Sequence, residues 1–420
     1  MVKADSDKYK NMLKEVRKLC EKLNDIIDDD IVIRILTKCQ ESVIVIGESL
    51  EKIERANEKE VLKKLQTVNK LEQLCELLYQ YSQKMERNIR KEIIRIIDNI
   101  ICDIDTIPRT YRVTFLPYKA AMWDSLESIW REFAASDECE TSVVPIPYFE
   151  ANRKTNQWDT CYEGNKYPDY VPVVNFQDYL LGQKRPDLVF VHNPFDQFNN
   201  VTTVHPAYYS AELKKSCEKL VYVPYYVNPG FISDDYNELP LLYRSDYIIV
   251  QSEKAKETCK DFPYYNRVLA LGSPKFDKVV NLYNEKVAPP EEWNINLDGK
   301  KCILLNTTLT DFLESGELLM NKLYKMFEIA LDRNDIVIVW RPHPLLKGTV
   351  KAMRPQYIEK YDELVQYFID NKVGVYDTTA DVSRAVAVSD AYVGSHYSSI
   401  IALFEVINKP IFRIDSKVSG

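Results

Sequence analysis

The hydrophobic and polar positions change their rhythm twice along the chain. Over residues 1–107 the period is helical: Met12, Val16, Leu19, Leu23 and Ile26 recur at steps of three and four. Val32, Leu36, Cys39, Val43, Ile46, Leu50 and Ile53 alternate steps of four and three, a heptad seam. A third stretch, from about residue 60 to 102, carries Leu62, Leu65, Val68 and later Ile89, Ile93, Ile96 and Ile100. The acidic run Asp28-Asp29-Asp30 separates the first helix from the second. Helices of this length need a partner face, so the segment is expected to be a helical hairpin or three-helix unit that packs on the rest of the chain or self-associates.

Pro108 closes this region, and short apolar runs then alternate with amphipathic stretches. Strands are expected at 113–116, 142–146, 171–174, 188–192, 220–223, 247–251 and 268–271, with helices at 122–135 and 253–261. A turn-rich break, Ala288-Pro289-Pro290-Glu291-Glu292, precedes a restart. Strands are then expected at 302–306, 336–340, 373–376, 391–393 and 410–414, with helices at 315–332, 354–371, 381–388 and 398–408. Uninterrupted apolar strands in βα order imply parallel sheets covered on both faces. The expected fold is therefore α/β: a helical segment (1–107) followed by two Rossmann-like domains, 108–287 and 288–420. The default site is the cleft at the strands' carboxyl ends.

Composition narrows the chemistry. Glycine is scarce, 11 in 420 residues, and only Gly47 precedes Gly164. Neither G-x-G-x-x-G nor G-x-x-x-x-G-K-[ST] occurs, so the common glycine-built phosphate cradles are absent. The net charge of −8 argues against a nucleic-acid partner. Nine cysteines, none closer than 19 residues to the next, make no zinc spacing and read as reduced thiols of a cytoplasmic protein. With four histidines a His-rich metal site is not expected. The opening MVKADSDKYK lacks the apolar core of a signal peptide, and no apolar run reaches transmembrane length. Residues 1–107 are nearly neutral, with 20 basic and 21 acidic residues. The local patch Lys84, Arg87, Arg90, Lys91, Arg95 suits a docking role, either on a partner or peripherally at the inner face of a membrane.

Three strand ends of the C-terminal half carry polar clusters. The strand at 336–340 leads into Arg341-Pro342-His343-Pro344. Arg341 offers a fork for phosphate, His343 a proton or a charge-assisted hydrogen bond, and the prolines stiffen the loop. The strand at 391–393 leads into Gly394-Ser395-His396-Tyr397-Ser398-Ser399 and an apolar helix whose first amides can meet an anion. Asn306-Thr307-Thr308 adds donors on the same edge. A Ser-Ser pair before a helix is by itself a cap; three such clusters on one sheet edge point to a diphosphate.

These residues carry a resemblance. The C-terminal half resembles the CDP-glycerol glycerophosphotransferase family, the teichoic-acid primases and polymerases, whose fold is GT-B. Gly272-Ser273-Pro274-Lys275-Phe276-Asp277 matches the family's G-x-P-[RK]-x-D segment, and Arg341-Pro342-His343-Pro344 its R-x-H-P segment. Ser389-Asp390-Ala391-Tyr392, leading to Tyr397-Ser398-Ser399, resembles the D-Y-S-S segment, with His396 where the family usually has Asp. The resemblance covers about 210–420 by motif and 111–210 by fold position. It implies a CDP-linked donor as substrate, its diphosphate held by Arg341, His343, Ser398 and Ser399, with His343 also catalytic. Gly272, Ser273, Lys275, Asn306, Thr307, Thr308, Ser395 and His396 are expected on the same donor side. No carboxylate pair suits Mg²⁺, so neither a metal nor a cofactor beyond the donor is expected. The resemblance also implies a glycan or polyprenyl-linked acceptor, release of CMP, and a further helix after the last strand, whereas the sequence stops at Gly420.

One departure matters. Where the family has His-Gly-Thr-Pro, supplying its general base, this chain reads Val223-Pro224-Tyr225-Tyr226-Val227-Asn228-Pro229-Gly230. The expected substitute is His192, oriented by Asp196 four residues on. Lys119, His205, Tyr226 and Asn228 are set on the acceptor side. Two other readings stay open: a GT-B glycosyltransferase using a nucleotide sugar, since fold does not decide chemistry, and a non-catalytic scaffold with a lapsed site.

Overall fold

The computed structural model describes residues 1–420 except 2, 24–27, 53–57, 108, 153–154, 229–233, 296, 298, 380 and 416–420. Ile26, Ile53, Pro108 and the loop residues Pro229 and Gly230 lie outside the described residues, as does the chain beyond 415.

The helical segment is a four-helix unit: α1 (Lys3–Lys22), α2 (Asp29–Glu51), α3 (Glu58–Gln83) and α4 (Arg87–Thr106). Asp28 caps α2, its carboxylate accepting from the amides of Asp30 and Ile31. The heptad seam is buried from Val32 to Leu50 as its spacing requires. In α1 the buried stripe is Tyr9, Leu13, Val16 and Cys20, followed by Leu23 just past its end, whereas Leu19 is 39% exposed, so the inward face lies to one side of the expected one. The expected third stretch is two helices. Leu78, Tyr81, Met85 and Ile89 keep steps of three and four across the turn, so the period conceals the break. The four helices bury their apolar stripes against one another in one core. The unit meets the first sheet through Met1, whose carbonyl accepts from the Thr110 amide at 3.0 Å.

The N-terminal sheet comprises β1 (Tyr111–Leu116), β2 (Cys139–Val143), β5 (Leu188–Val191), β7 (Lys219–Tyr222), β8 (Tyr247–Val250) and β9 (Val268–Ala270). They lie in the order β2-β1-β5-β7-β8-β9, all parallel. An antiparallel sheet of β3 (Tyr148–Asn152), β4 (Gln157–Cys161) and β6 (Thr202–Val204) sits beside it; it was not expected. The strand expected at 171–174 does not form, leaving a single bridge between Val143 and Val173.

The C-terminal sheet has five parallel strands: β10 (Lys301–Thr307), β11 (Ile336–Pro342), β12 (Gly374–Tyr376), β13 (Ala391–Ser395) and β14 (Ile411–Ile414), in the order β12-β11-β10-β13-β14. Its two faces carry separate cores, one around Leu304, Val339 and Tyr392 and one around Leu305, Trp340 and Phe368. This is the expected architecture, a GT-B-like pair of α/β domains behind an all-helical segment. The helix Pro274–Asn284 connects them. Gly272 turns the chain with φ +100°, a value that favours glycine, and Ser273 caps the helix. Val279 of this helix is buried in the C-terminal core, while Asp277 accepts from Ser128 Oγ of the N-terminal domain at 2.6 Å.

Candidate functional site

In each sheet the strand order reverses at one point, the place where open α/β sheets bind ligands. In the C-terminal sheet the reversal falls between β10 and β13. Register sets Asn306 opposite both Arg341 and Gly394 there. Gly394 has φ +154°, and a Cβ at that position would stand 2.2 Å from the Asn306 carbonyl oxygen. The close approach of the two strands depends on that glycine.

The side chains on this edge are largely committed to one another. Asn306 donates Nδ2 to the Arg341 carbonyl at 2.8 Å. Thr307 is buried and accepts from Trp340 Nε1 at 3.3 Å. Thr308 caps the following helix and donates to Asp311 Oδ2 at 2.7 Å, 3.1 Å from Ser395 Oγ. Ser395 Oγ also accepts from the Tyr397 amide. Ser398 is buried and accepts from the Ile400 amide at 3.2 Å, so it acts as a cap. The helix it starts, Ile400–Val406, has seven residues. Ser399 and His396 are exposed, the latter against the Tyr397 ring.

Arg341 is not the free fork expected of a phosphate ligand. Its Nη1 donates to Asp377 Oδ2 and, at 3.2 Å, to Thr379 Oγ1; its Nη2 donates to the Thr379 carbonyl at 2.7 Å. Asp377 is 1% exposed. Its other oxygen accepts from Trp293 Nε1 and from the amide and hydroxyl of Thr379. Arg341, Asp377, His343, Lys347 and Tyr376 line a cavity of about 190 Å³. Half-buried His343 accepts at Nδ1 from the Leu345 amide at 3.2 Å, and burial lowers its pKa. It is thus neutral near pH 7 with its proton on Nε2, a hydrogen-bond donor.

In the N-terminal sheet the reversal falls between β1 and β5, where Tyr118 and His192 meet. The expected His192–Asp196 pair does not form. Nε2 of His192 accepts from the Tyr118 amide at 3.1 Å, and Nδ1 lies 2.9 Å from Ser125 Oγ, which donates onward to the Met122 carbonyl. Both ring nitrogens are occupied and the residue is fully buried. Burial, with the Lys275 charge nearby, pushes its pKa down to about 3. Asp196 instead holds the amide and hydroxyl of Ser210. Such a histidine is a structural post, not an accessible base.

The other acceptor-side and linker residues are also occupied. Lys119 pairs with Glu150 at 3.2 Å and lies over the Tyr148 ring. His205 caps a short turn through the Ala207 amide and packs on Phe149. Lys275, expected on the donor, reaches across to Asp124 at 2.7 and 2.8 Å. Gln251 clamps Asn228 from both sides: its Oε1 accepts from the Asn228 amide at 2.8 Å and its Nε2 donates to the carbonyl at 2.7 Å.

Around the loop after β7, Tyr226, expected on the acceptor side, stands in a group of phenols of which the others were not expected. Tyr225, Tyr226 and Tyr236 pack edge to face, Tyr222 bonds Tyr236 through the hydroxyls, and Tyr225 reaches His192. Burial raises the pKa of Tyr225 and Tyr226, which stay protonated. The signal available was local, Tyr225-Tyr226 at a strand end; Tyr236 and Tyr118 join only in three dimensions. Asp377 was missed as well, although it ends the strand beside Arg341.

Among the described residues no helix is long and apolar enough to cross a membrane. No curated protein matches the chain. Among solved structures it is similar to the wall teichoic acid polymerase TagF (17% identity over 86% of this chain and 79% of that one, TM-score 0.43). It is similar also to S. aureus MnaA bound to UDP (14% identity, 72% and 78%, TM-score 0.43). A third is the UDP-GlcNAc 2-epimerase of Methanocaldococcus jannaschii in complex with UDP-GlcNAc and UDP (14% identity, 71% and 83%, TM-score 0.45). The motifs on the edges of β9, β11 and β13 fall within residues 227–416, and this span matches the family described as CDP-glycerol:poly(glycerophosphate) glycerophosphotransferase.

Proposed function

We propose that this chain transfers glycerol phosphate, or a similar phospho-alcohol, from a CDP-linked donor to a hydroxyl of a cell-envelope glycan or lipid-linked precursor. The observation that carries the reading is the carboxyl edge of the C-terminal sheet. There His343 presents a neutral Nε2–H in the same cavity as Arg341, where β11 and β12 end, within the span that matches a glycerophosphotransferase family. The acceptor oxygen attacks the phosphorus bearing the alcohol. A new P–O bond forms, the bond to CMP breaks, CMP leaves with the electron pair, and the acceptor proton passes to solvent. His343 and Arg341 stabilise negative charge on the diphosphate, the electrostatic contribution that dominates phosphoryl transfer. A loose transition state needs little proton abstraction before attack, which suits an acceptor side walled by neutral phenols and a locked histidine.

The test is CMP release from CDP-glycerol with an acceptor pool. His343→Ala and Arg341→Ala are each expected to reduce turnover by orders of magnitude; near wild-type release from both would reject the assignment. The occupied His192 and Arg341 favour a second reading, a nucleotide-binding scaffold without turnover. CDP affinity by calorimetry with no CMP release against any acceptor would select it. UDP binding without CDP binding would instead select a nucleotide-sugar donor.

A further inference from the structure

The helical unit has an open groove that its own core does not fill. α2 and α3 run antiparallel, with Gln40 Nε2 donating to the Cys75 carbonyl at 2.9 Å and Lys64 Nζ to the Glu51 carbonyl at 3.3 Å. Between these contacts lies a cavity of about 450 Å³. It follows α2 from Gln40 to Glu51, about 17 Å or three helical turns at 1.5 Å per residue. Val43, Val68 and Leu71 form its floor; Ile44 and Tyr79, 49% and 53% exposed, form its walls.

Two features go beyond an apolar furrow. Gly47 lies in the C-terminal part of α2 and lines the groove, and a Cβ there would meet nothing within 4 Å. A helix-interior glycine is destabilising relative to alanine. In a segment with no other glycine, its effect is to keep the groove deep. The rim is acidic: Glu48 and Glu51 on α2, Glu72 and Glu76 on α3. Like charges at three- and four-residue spacing oppose helix formation. Among the described residues no lysine or arginine lines the groove.

We propose that this groove docks a basic amphipathic helix of a partner protein, whose apolar face fills the furrow at Gly47 and whose lysines or arginines meet the four glutamates. Charge complementarity selects this occupant. A second copy would bring an identical acidic groove, while its α4 isoleucines are already buried in its own core. An anionic lipid surface would face the same four carboxylates.

The test is fluorescence anisotropy with the full chain and a dye-labelled Leu/Lys amphipathic peptide of about four turns. A scrambled peptide of equal charge is the control. The amphipathic peptide is expected to bind at least tenfold tighter than the scrambled one. Gly47→Leu, which leaves the rim charges in place, is expected to weaken it at least tenfold without lowering the thermal midpoint. Glu48→Gln with Glu72→Gln is expected to weaken it and flatten its salt dependence. Equal binding of the two peptides, or unchanged binding by Gly47→Leu and by the glutamate variant, overturns the proposal. So does light scattering showing a dimer that Gly47→Leu dissolves, which makes a second copy the occupant. Sedimentation with phosphatidylglycerol vesicles that Gly47→Leu abolishes overturns it in favour of a membrane.

Discussion

Replacing Asp377 by asparagine changes one atom of the C-terminal site and reverses its electrostatics. The carboxylate is 1% exposed and accepts four hydrogen bonds, one of them from the Arg341 guanidinium. The substituted amide would keep an oxygen for Trp293 and Thr379 but turn an NH2 toward Arg341, donor against donor. The Arg341 side chain, 11% exposed, would be left as a nearly buried cation without a counter-charge. Removing one partner of a buried pair costs about 3–5 kcal/mol. At roughly 2–4 °C per kcal/mol for a domain of this size, the C-terminal transition should fall by about 6–20 °C. Tryptophan fluorescence reports it directly, because Trp293 Nε1 donates to the same carboxylate. Arg341→Met should cost a similar amount, and the double variant should recover most of it, since no lone charge remains buried. Unchanged midpoints in both single variants would refute a buried pair at this edge.

Other outcomes follow from the same geometry. His192 has a folded pKa near 3 against about 6.5 unfolded. Its stability contribution is therefore complete above about pH 6.5 and is lost as pH falls, by about 1.4 kcal/mol per unit. Urea midpoints between pH 6.5 and 5 should show that slope, and His192→Gln should flatten it. Lys275→Met removes a charge that holds the His192 pKa down, so the proton NMR titration of His192 should move upward; no movement would contradict the proximity of the two groups. Gly394→Ala forces a Cβ to within 2.2 Å of the Asn306 carbonyl and should lower the C-terminal midpoint sharply. Gly47→Ala, in open space, should raise the helical unit's stability by about 0.5–1 kcal/mol, each read by thermal scans.

Much of the fold was legible because buried parallel strands such as Leu188–Val191 are uninterrupted apolar runs bounded by turns. The antiparallel β3, β4 and β6 were not, because Gln157–Cys161 is mostly polar and exposed and has no apolar period to read. The α3–α4 break was hidden by apolar spacing that stays in phase across it. For the site, the strand ends at Asn306, Arg341 and Gly394 were legible as positions, because motif and strand end coincide. Their hydrogen bonds were not. His192 with Asp196 four residues on looks like a dyad in sequence, yet their partners, Tyr118 and Ser125 for one and Ser210 for the other, come from different segments. Lys275 looked like a phosphate ligand because its partner, Asp124, lies 151 residues away.

The proposed donor site is the carboxyl edge of the C-terminal sheet, and a crystal structure with CDP-glycerol tests it most directly. The diphosphate is expected in the cavity lined by Arg341, His343 and Asp377 at the ends of β11 and β12, with an oxygen within hydrogen-bond distance of His343 Nε2. Density for the nucleotide at the N-terminal sheet, or none at a concentration that saturates binding in solution, would contradict it.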